Sequence, residues 1–169
     1  VSDKVMVIQN LLDKVDALII GGAMAYTLMK ADGQPVGSSL VEADKLDVAK
    51  EVFAKAKAKK VRLLLPVDHL VAGSFAAKEA EATVATIPEG MMGLDIGPQS
   101  VTLYVAEIQK AKTVVWNGPM GVFEKPAFAN GTFAIAQALA STPCVSIIGG
   151  GDSVSAVNKS GLAGKMTHI

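Results

Sequence analysis

The 169-residue chain has one cysteine, Cys144, two histidines, His69 and His168, and only 5% aromatic residues. A lone thiol excludes an internal disulfide, and no Cys/His cluster at metal-ligand spacing suggests a zinc site. Neither sign of charge is in excess, with 16 Lys plus Arg against 16 Asp plus Glu. The basic stripe that nucleic acid or an anionic membrane requires is absent. There is no signal peptide, and no apolar run is long enough to span a bilayer, so a cytoplasmic protein with no nucleic-acid or membrane partner is expected. GxGxxG does not occur. "GLAGKMT" (Gly161 to Thr167) lacks the glycine five residues before Gly164 and has Met166 where a phosphate loop needs Ser or Thr. No Ser/His/Asp set has local motif support, which sets triad hydrolysis aside.

What the chain does have is 50% hydrophobic residues, enough for one substantial core over residues 1–169. Short apolar runs read as strands covered on both faces: "DALII" (Asp16 to Ile20), "VRLLLP" (Val61 to Pro66), "ATVAT" (Ala82 to Thr86), "TVVW" (Thr113 to Trp116) and "VSII" (Val145 to Ile148). "MGLDIG" (Met92 to Gly97) reads as a further short extended piece. Segments 2–15, 23–31, 41–60, 98–112 and 126–141 carry apolar residues at spacings of three and four, which predicts helices. Strand alternating with helix implies right-handed crossovers. The expected architecture is a three-layer α/β/α, Rossmann-like domain with a mainly parallel sheet of about six strands.

In such sheets ligands lie beyond the carboxyl ends of the strands. The loops there are "GGAMAY" (Gly21 to Tyr26), "PVDH", "GLDIGP" (Gly93 to Pro98), "NGPMGVFE" (Asn117 to Glu124) and "GGGDS" (Gly149 to Ser153), and four of the five contain glycine. Together they would form a rim of bare backbone. The last loop is the most telling, because three glycines opening a helix expose N–H groups at the positive end of its dipole, where an anion fits. Asp152 beside a phosphate is repulsive unless a cation lies between them, and Mg²⁺ commonly joins one carboxylate to phosphate oxygens. Ser153 offers a hydroxyl donor. The loop also permits a plainer reading, in which Asp152 or Ser153 caps the helix and the glycines only make the turn.

"VVWNGPMGVFE", "GGGDS", "LLLPVD", "GLDIGP", "GGAMAYT" and "VSDK" stand in the order seen in the carboxyl-terminal, nucleotide-binding domain of the phosphoglycerate kinase family, which the chain resembles over nearly all its length. The resemblance implies reversible phosphoryl transfer between 1,3-bisphosphoglycerate and MgADP, giving 3-phosphoglycerate and MgATP, by a monomeric glycolytic enzyme. It implies an adenine slot of Gly21, Gly22, Leu40, Gly93 and Leu94, with Pro119 and Val122 on another wall. Asn117 then lies near the phosphates and Glu124 accepts from the ribose hydroxyls. Gly150 and Gly151 turn backbone towards the phosphates, Ser153 adds its hydroxyl, and Asp152 holds Mg²⁺. Lys4 matches a lysine that follows the phosphates, and Lys4 with Gly151 would serve the transfer itself. Positioning and charge stabilisation suffice for such a reaction, with no side-chain nucleophile.

There are departures from the family's pattern. No lysine precedes "VSDK", a second glycine-rich loop after "THI" is missing, and so is the basic amino-terminal domain that holds the phosphoglycerate. The chain is therefore read as a domain truncated at both ends and expected not to turn over alone. A non-catalytic, stand-alone nucleotide-binding module is the alternative. Ala23 replaces a frequent glycine and would narrow the adenine slot. Asp68 and Asp95 read as turn or cap residues, His69 as a surface loop residue, Cys144 as a small buried hydrophobe and Trp116 as packing beneath the site.

Overall fold

The computed structural model describes residues 9, 10 and 12–168. Four strands, β1 (Ala17–Ile20), β2 (Arg62–Leu64), β6 (Thr113–Asn117) and β7 (Val145–Gly149), form a parallel sheet in the order β2-β1-β6-β7. Their apolar runs are buried on both faces, as a parallel sheet between helices requires. Alternate residues point to opposite layers. Ala17, Ile19, Val114, Trp116 and Ile148 join one core with Tyr104, Ile108, Ile135, Leu139 and Val157. These come from α3 (Pro98–Lys110), α4 (Asn130–Ser141) and α5 (Gly151–Ser160). Leu18, Ile20 and Val115 join the other core with Ala25 and Leu28 of α1 (Gly22–Ala31) and Ala49, Val52 and Ala56 of α2 (Leu46–Lys59). The result is the expected α/β/α sandwich with a parallel sheet, corrected from about six strands to four among the described residues.

Three further strands, β3 (His69–Ala72), β4 (Ala82–Val84) and β5 (Met92–Ile96), pair antiparallel in a second sheet, order β4-β3-β5. "ATVAT" and "MGLDIG" are thus strands, but outside the parallel sheet. Parallel pairing needs a crossover of a dozen or more residues, usually a helix, and the link from Ala72 to Ala82 is too short to supply one. β3 itself was not anticipated, and His69 is corrected from a surface loop residue to a buried strand residue, 1% exposed. Its ring lies 5.8 Å from that of Tyr26, and burial lowers its pKa to about 4.

Helix boundaries differ modestly from expectation. Segment 41–60 contributes a 3-10 turn (Ala43–Lys45) before α2, which ends with Lys60 in the left-handed region. Of segment 2–15, Gln9 and Asn10 are helical and 12–14 form a turn; its other positions up to Leu11 lie outside the described residues. Trp116 is fully buried and donates Nε1–H to the Gly118 carbonyl at 2.8 Å, directly under the loop that follows β6. Cys144 is half-buried against the core, and burial raises its pKa.

Candidate functional site

The register of the parallel sheet sets Ile20 beside Asn117 and Asn117 beside Gly149, so the loops after β1, β6 and β7 leave the same sheet edge together. Gly21 N–H donates to the Asn117 carbonyl at 3.0 Å. A Cβ on Gly21 would stand 2.3 Å from the Pro119 carbonyl oxygen and 2.5 Å from that of Gly118. One on Gly118, whose φ is +92°, would stand 2.7 Å from the Gly21 carbonyl oxygen. The two loops touch backbone to backbone, which only glycine allows.

Two adjoining clefts open above this contact, both lined by Gly22, Ala23, Pro119 and Asp152. The first opens to solvent; Leu40, Gly93, Leu94, Val122 and Glu124 line it. Tyr26, Phe75, Met92, Met120 and Phe123 give it an apolar body suited to a flat ring. The second is lined by Gly21, Asn117, Gly150, Ser153 and Glu42, and is the more polar of the two. Gly151 lines neither cleft but opens α5, and a Cβ there would meet nothing within 4 Å. Lys4 lies outside the described residues.

At the start of α5, Gly150 takes φ +88°, and no side chain caps the helix. The capping reading of this loop is therefore not realised. Ser153 instead accepts the Gly118 N–H at 2.7 Å and is fully buried, leaving its hydroxyl proton free to donate. Gly150, Asp152 and Ser153, at the start of this helix, line the second cleft, and the positive end of a helix dipole favours an anion. Asp152 and Glu42 both line that cleft, and Glu42 Oε2 is buried with no hydrogen-bond partner among the described residues. Two carboxylates beside an anion site call for a cation. No group of three or more His, Cys, Asp or Glu at metal-binding range occurs among the described residues. Such a donor set suits Mg²⁺, which takes one or two carboxylates and completes its shell with water and phosphate oxygens.

Behind the apolar wall lies Asp95, fully buried on β5. Its Oδ1 accepts the Ile96 N–H at 2.8 Å and its Oδ2 accepts the Gly131 N–H, in the first turn of α4, at 3.0 Å. Burial raises its pKa to about 7, against the opposing pull of these two bonds. A Cβ on Gly121 would stand 2.6 Å from Asp95 Oδ1, so the loop carrying Val122 leans on this carboxyl. Asp68 serves α3 in the same way, accepting from the Gln99 and Ser100 N–H groups at 2.9 and 2.8 Å. Gly93 is explained by Tyr26, whose hydroxyl would stand 2.1 Å from an added Cβ. Burial raises the Tyr26 pKa, with the Asp95 charge adding to it.

Tyr26, Glu42, Phe75, Met120 and Phe123 line the clefts without having been singled out from the sequence. Met120 and Phe123 belong to the quoted "NGPMGVFE" loop and Tyr26 to "GGAMAY", so those loops pointed to them. Glu42 and Phe75 carry no local signal.

A family model for phosphoglycerate kinase matches residues 1–169. The chain is 61% identical over 173 residues to a phosphoglycerate kinase of Acidobacterium capsulatum and 60% identical over 172 residues to one of Clostridium botulinum (strain Eklund 17B / Type B). Each alignment covers 100% of this chain and 43% of the relative. Among solved structures, phosphoglycerate kinase from Coxiella burnetii superposes with a TM-score of 0.89 at 43% identity, covering 99% of this chain and 44% of that one. The enzyme from Pyrococcus horikoshii OT3 gives 0.77 at 29% identity, covering 100% and 44%. The chain spans less than half the length of these relatives. With every residue of the chain, 1–169, inside the match to the family model, the chain belongs to the phosphoglycerate kinase family.

Proposed function

We propose that this chain is the carboxyl-terminal, nucleotide-binding part of a phosphoglycerate kinase, one domain over residues 1–169. The whole enzyme would move a phosphoryl group reversibly between 1,3-bisphosphoglycerate and ADP as a cytoplasmic, monomeric protein. The observation that carries the reading is the pairing of an apolar cleft with a polar one across Gly22, Pro119 and Asp152. A purine base fits the first against Leu40, Gly93, Leu94 and Val122, with Gly21 and Gly22 giving it bare backbone and Glu124 at the rim for ribose hydroxyls. The phosphates then reach the second, where Asn117, the backbone of Gly150 and Gly151, and the Ser153 hydroxyl meet them.

Asp152, with Glu42 across the same cleft, would hold Mg²⁺, which neutralises phosphate charge when bound. Lys4 supplies a further positive charge to the transferring group. The fixed amides of α5 act without reorganising, which is how oriented dipoles stabilise developing charge. The phosphoglycerate is held by the part of the relatives that this chain does not span, so the chain alone binds nucleotide without turnover. No observation favours a stand-alone regulatory module. Among the described residues no helix is long and apolar enough to cross a membrane.

Calorimetry with MgADP, ADP plus EDTA, GDP and NADH tests the assignment. Binding restricted to adenine nucleotide, and weakened by EDTA or by Asp152→Ala, is expected. Equal heats for all four ligands, or none, count against it.

A further inference from the structure

Residues 73–81 link β3 to β4, and all of them except Ala77 and Ala80 are exposed. Its own bonds are few: Ala76 N–H donates to the Ser74 hydroxyl, Ala77 N–H to the Ser74 carbonyl, and Gly73 N–H to the Glu81 carboxylate. Phe75 is 49% exposed, yet it lines the apolar cleft, as does Leu40 at 57%. A half-exposed ring on a surface link has no reason of its own to stay there. Lys125, the residue after Glu124, provides one. Its ammonium donates to the Ala77 carbonyl at 3.1 Å and to the Phe75 carbonyl, and stands 5.4 Å from the centroid of the Phe75 ring. Two of its three donors and the attraction between cation and ring face thus converge on one stretch of chain.

We propose that Lys125 is a positioning residue of the nucleotide site, strapping segment 74–77 to the loop after β6 so that Phe75 stands beside Leu40 as a wall for the purine base. The role rests on the nucleotide reading of the cleft. It ties the wall near the base to the loop that also carries Pro119, Val122 and Glu124, so closing one orders the other. Lys125 touches no ligand in this scheme. It acts through Phe75, and its effect belongs to the base and not to the phosphates.

The test is calorimetry of the wild-type chain, Lys125→Met and Lys125→Arg with MgADP and with magnesium pyrophosphate, alongside hydrogen exchange of the 74–77 amides. Lys125→Met is expected to weaken MgADP about three- to tenfold, the scale of a lost cation–ring contact and a charge-assisted bond. Magnesium pyrophosphate binding stays unchanged, exchange at 74–77 quickens, and Lys125→Arg, which keeps cation and donors, restores both. Equal affinity of wild type and Lys125→Met for MgADP overturns the strap alone, as does a loss shared equally by pyrophosphate. If the wild-type chain ignores MgADP, the nucleotide reading falls and takes the positioning role with it. Wild-type exchange serves even if Lys125→Met fails to fold: MgADP should slow the 74–77 amides, and no change there contradicts the proposal.

Discussion

Ser153 Oγ accepts the Gly118 N–H at 2.7 Å, joining the first turn of α5 to the loop after β6. This bond ties together two of the loops that line the second cleft. Removing it by Ser153→Ala leaves the Gly118 N–H without its partner in a partly buried place, at a cost of about 1–3 kcal/mol. Denaturant unfolding should show that loss, and MgADP affinity should fall with it. Unchanged stability would mean that the two loops are held together by backbone contact alone.

Glycines of the rim separate into two kinds, and alanine distinguishes them. Gly21→Ala forces a methyl to 2.3 Å from the Pro119 carbonyl oxygen, so the loops must part and stability drops by roughly 2 kcal/mol or more. Gly151→Ala meets nothing within 4 Å and sits in a helix, where alanine gains about 0.5–1 kcal/mol over glycine. Under the proposed function, that open space is the path by which the phosphates would approach the α5 amides. Thermal unfolding of Gly151→Ala should therefore match or exceed wild type while MgADP binding falls at least tenfold. Full binding by a stable Gly151→Ala would remove Gly151 from the site.

Asp95 makes stability depend on pH in an unusual direction. Its carboxyl titrates at 3.8 in the unfolded chain and at about 7 in the fold. The native state therefore holds the proton more tightly, so the contribution is complete below 3.8 and is lost as pH rises to about 7, on the order of 4 kcal/mol in total. His69, lowered by burial from 6.5 to about 4, works oppositely and loses stability as pH falls through that window. Asp95→Asn isolates the first effect. It loses one of two accepted bonds at every pH, a constant offset, and it abolishes the slope. Urea unfolding at pH 5 and pH 8 should show wild type losing ground against Asp95→Asn on going to the higher pH. A difference independent of pH contradicts the buried, titrating carboxyl.

Much of this was readable from residues. "DALII", "TVVW" and "VSII" are apolar at successive positions, a pattern that only two-sided burial explains, and the glycines after them mark the rim. Parallel and antiparallel partners are not distinguished by such runs, so β4 and β5 were identifiable as strands while their sheet was not. β3 is only four residues long, opens with a histidine, and offered too little alternation to notice. The burial of Asp95 and His69 follows from elements distant in sequence closing over them, α4 and α1 respectively, and single residues carry no sign of that. Phe75 sits in an exposed link whose other residues are small or charged, and its partner Lys125 lies fifty residues away.

The central claim is that the amides opening α5 receive the phosphates of a magnesium-bound adenine nucleotide. Titrating MgADP into the ¹⁵N-labelled chain while following backbone amide signals addresses it most directly. The largest shifts should fall on Gly150, Gly151 and Asp152, with Gly22, Gly93 and Val122 moving at the same midpoint. Saturable shifts confined to other parts of the molecule, with the Gly150 to Asp152 signals still, would contradict it.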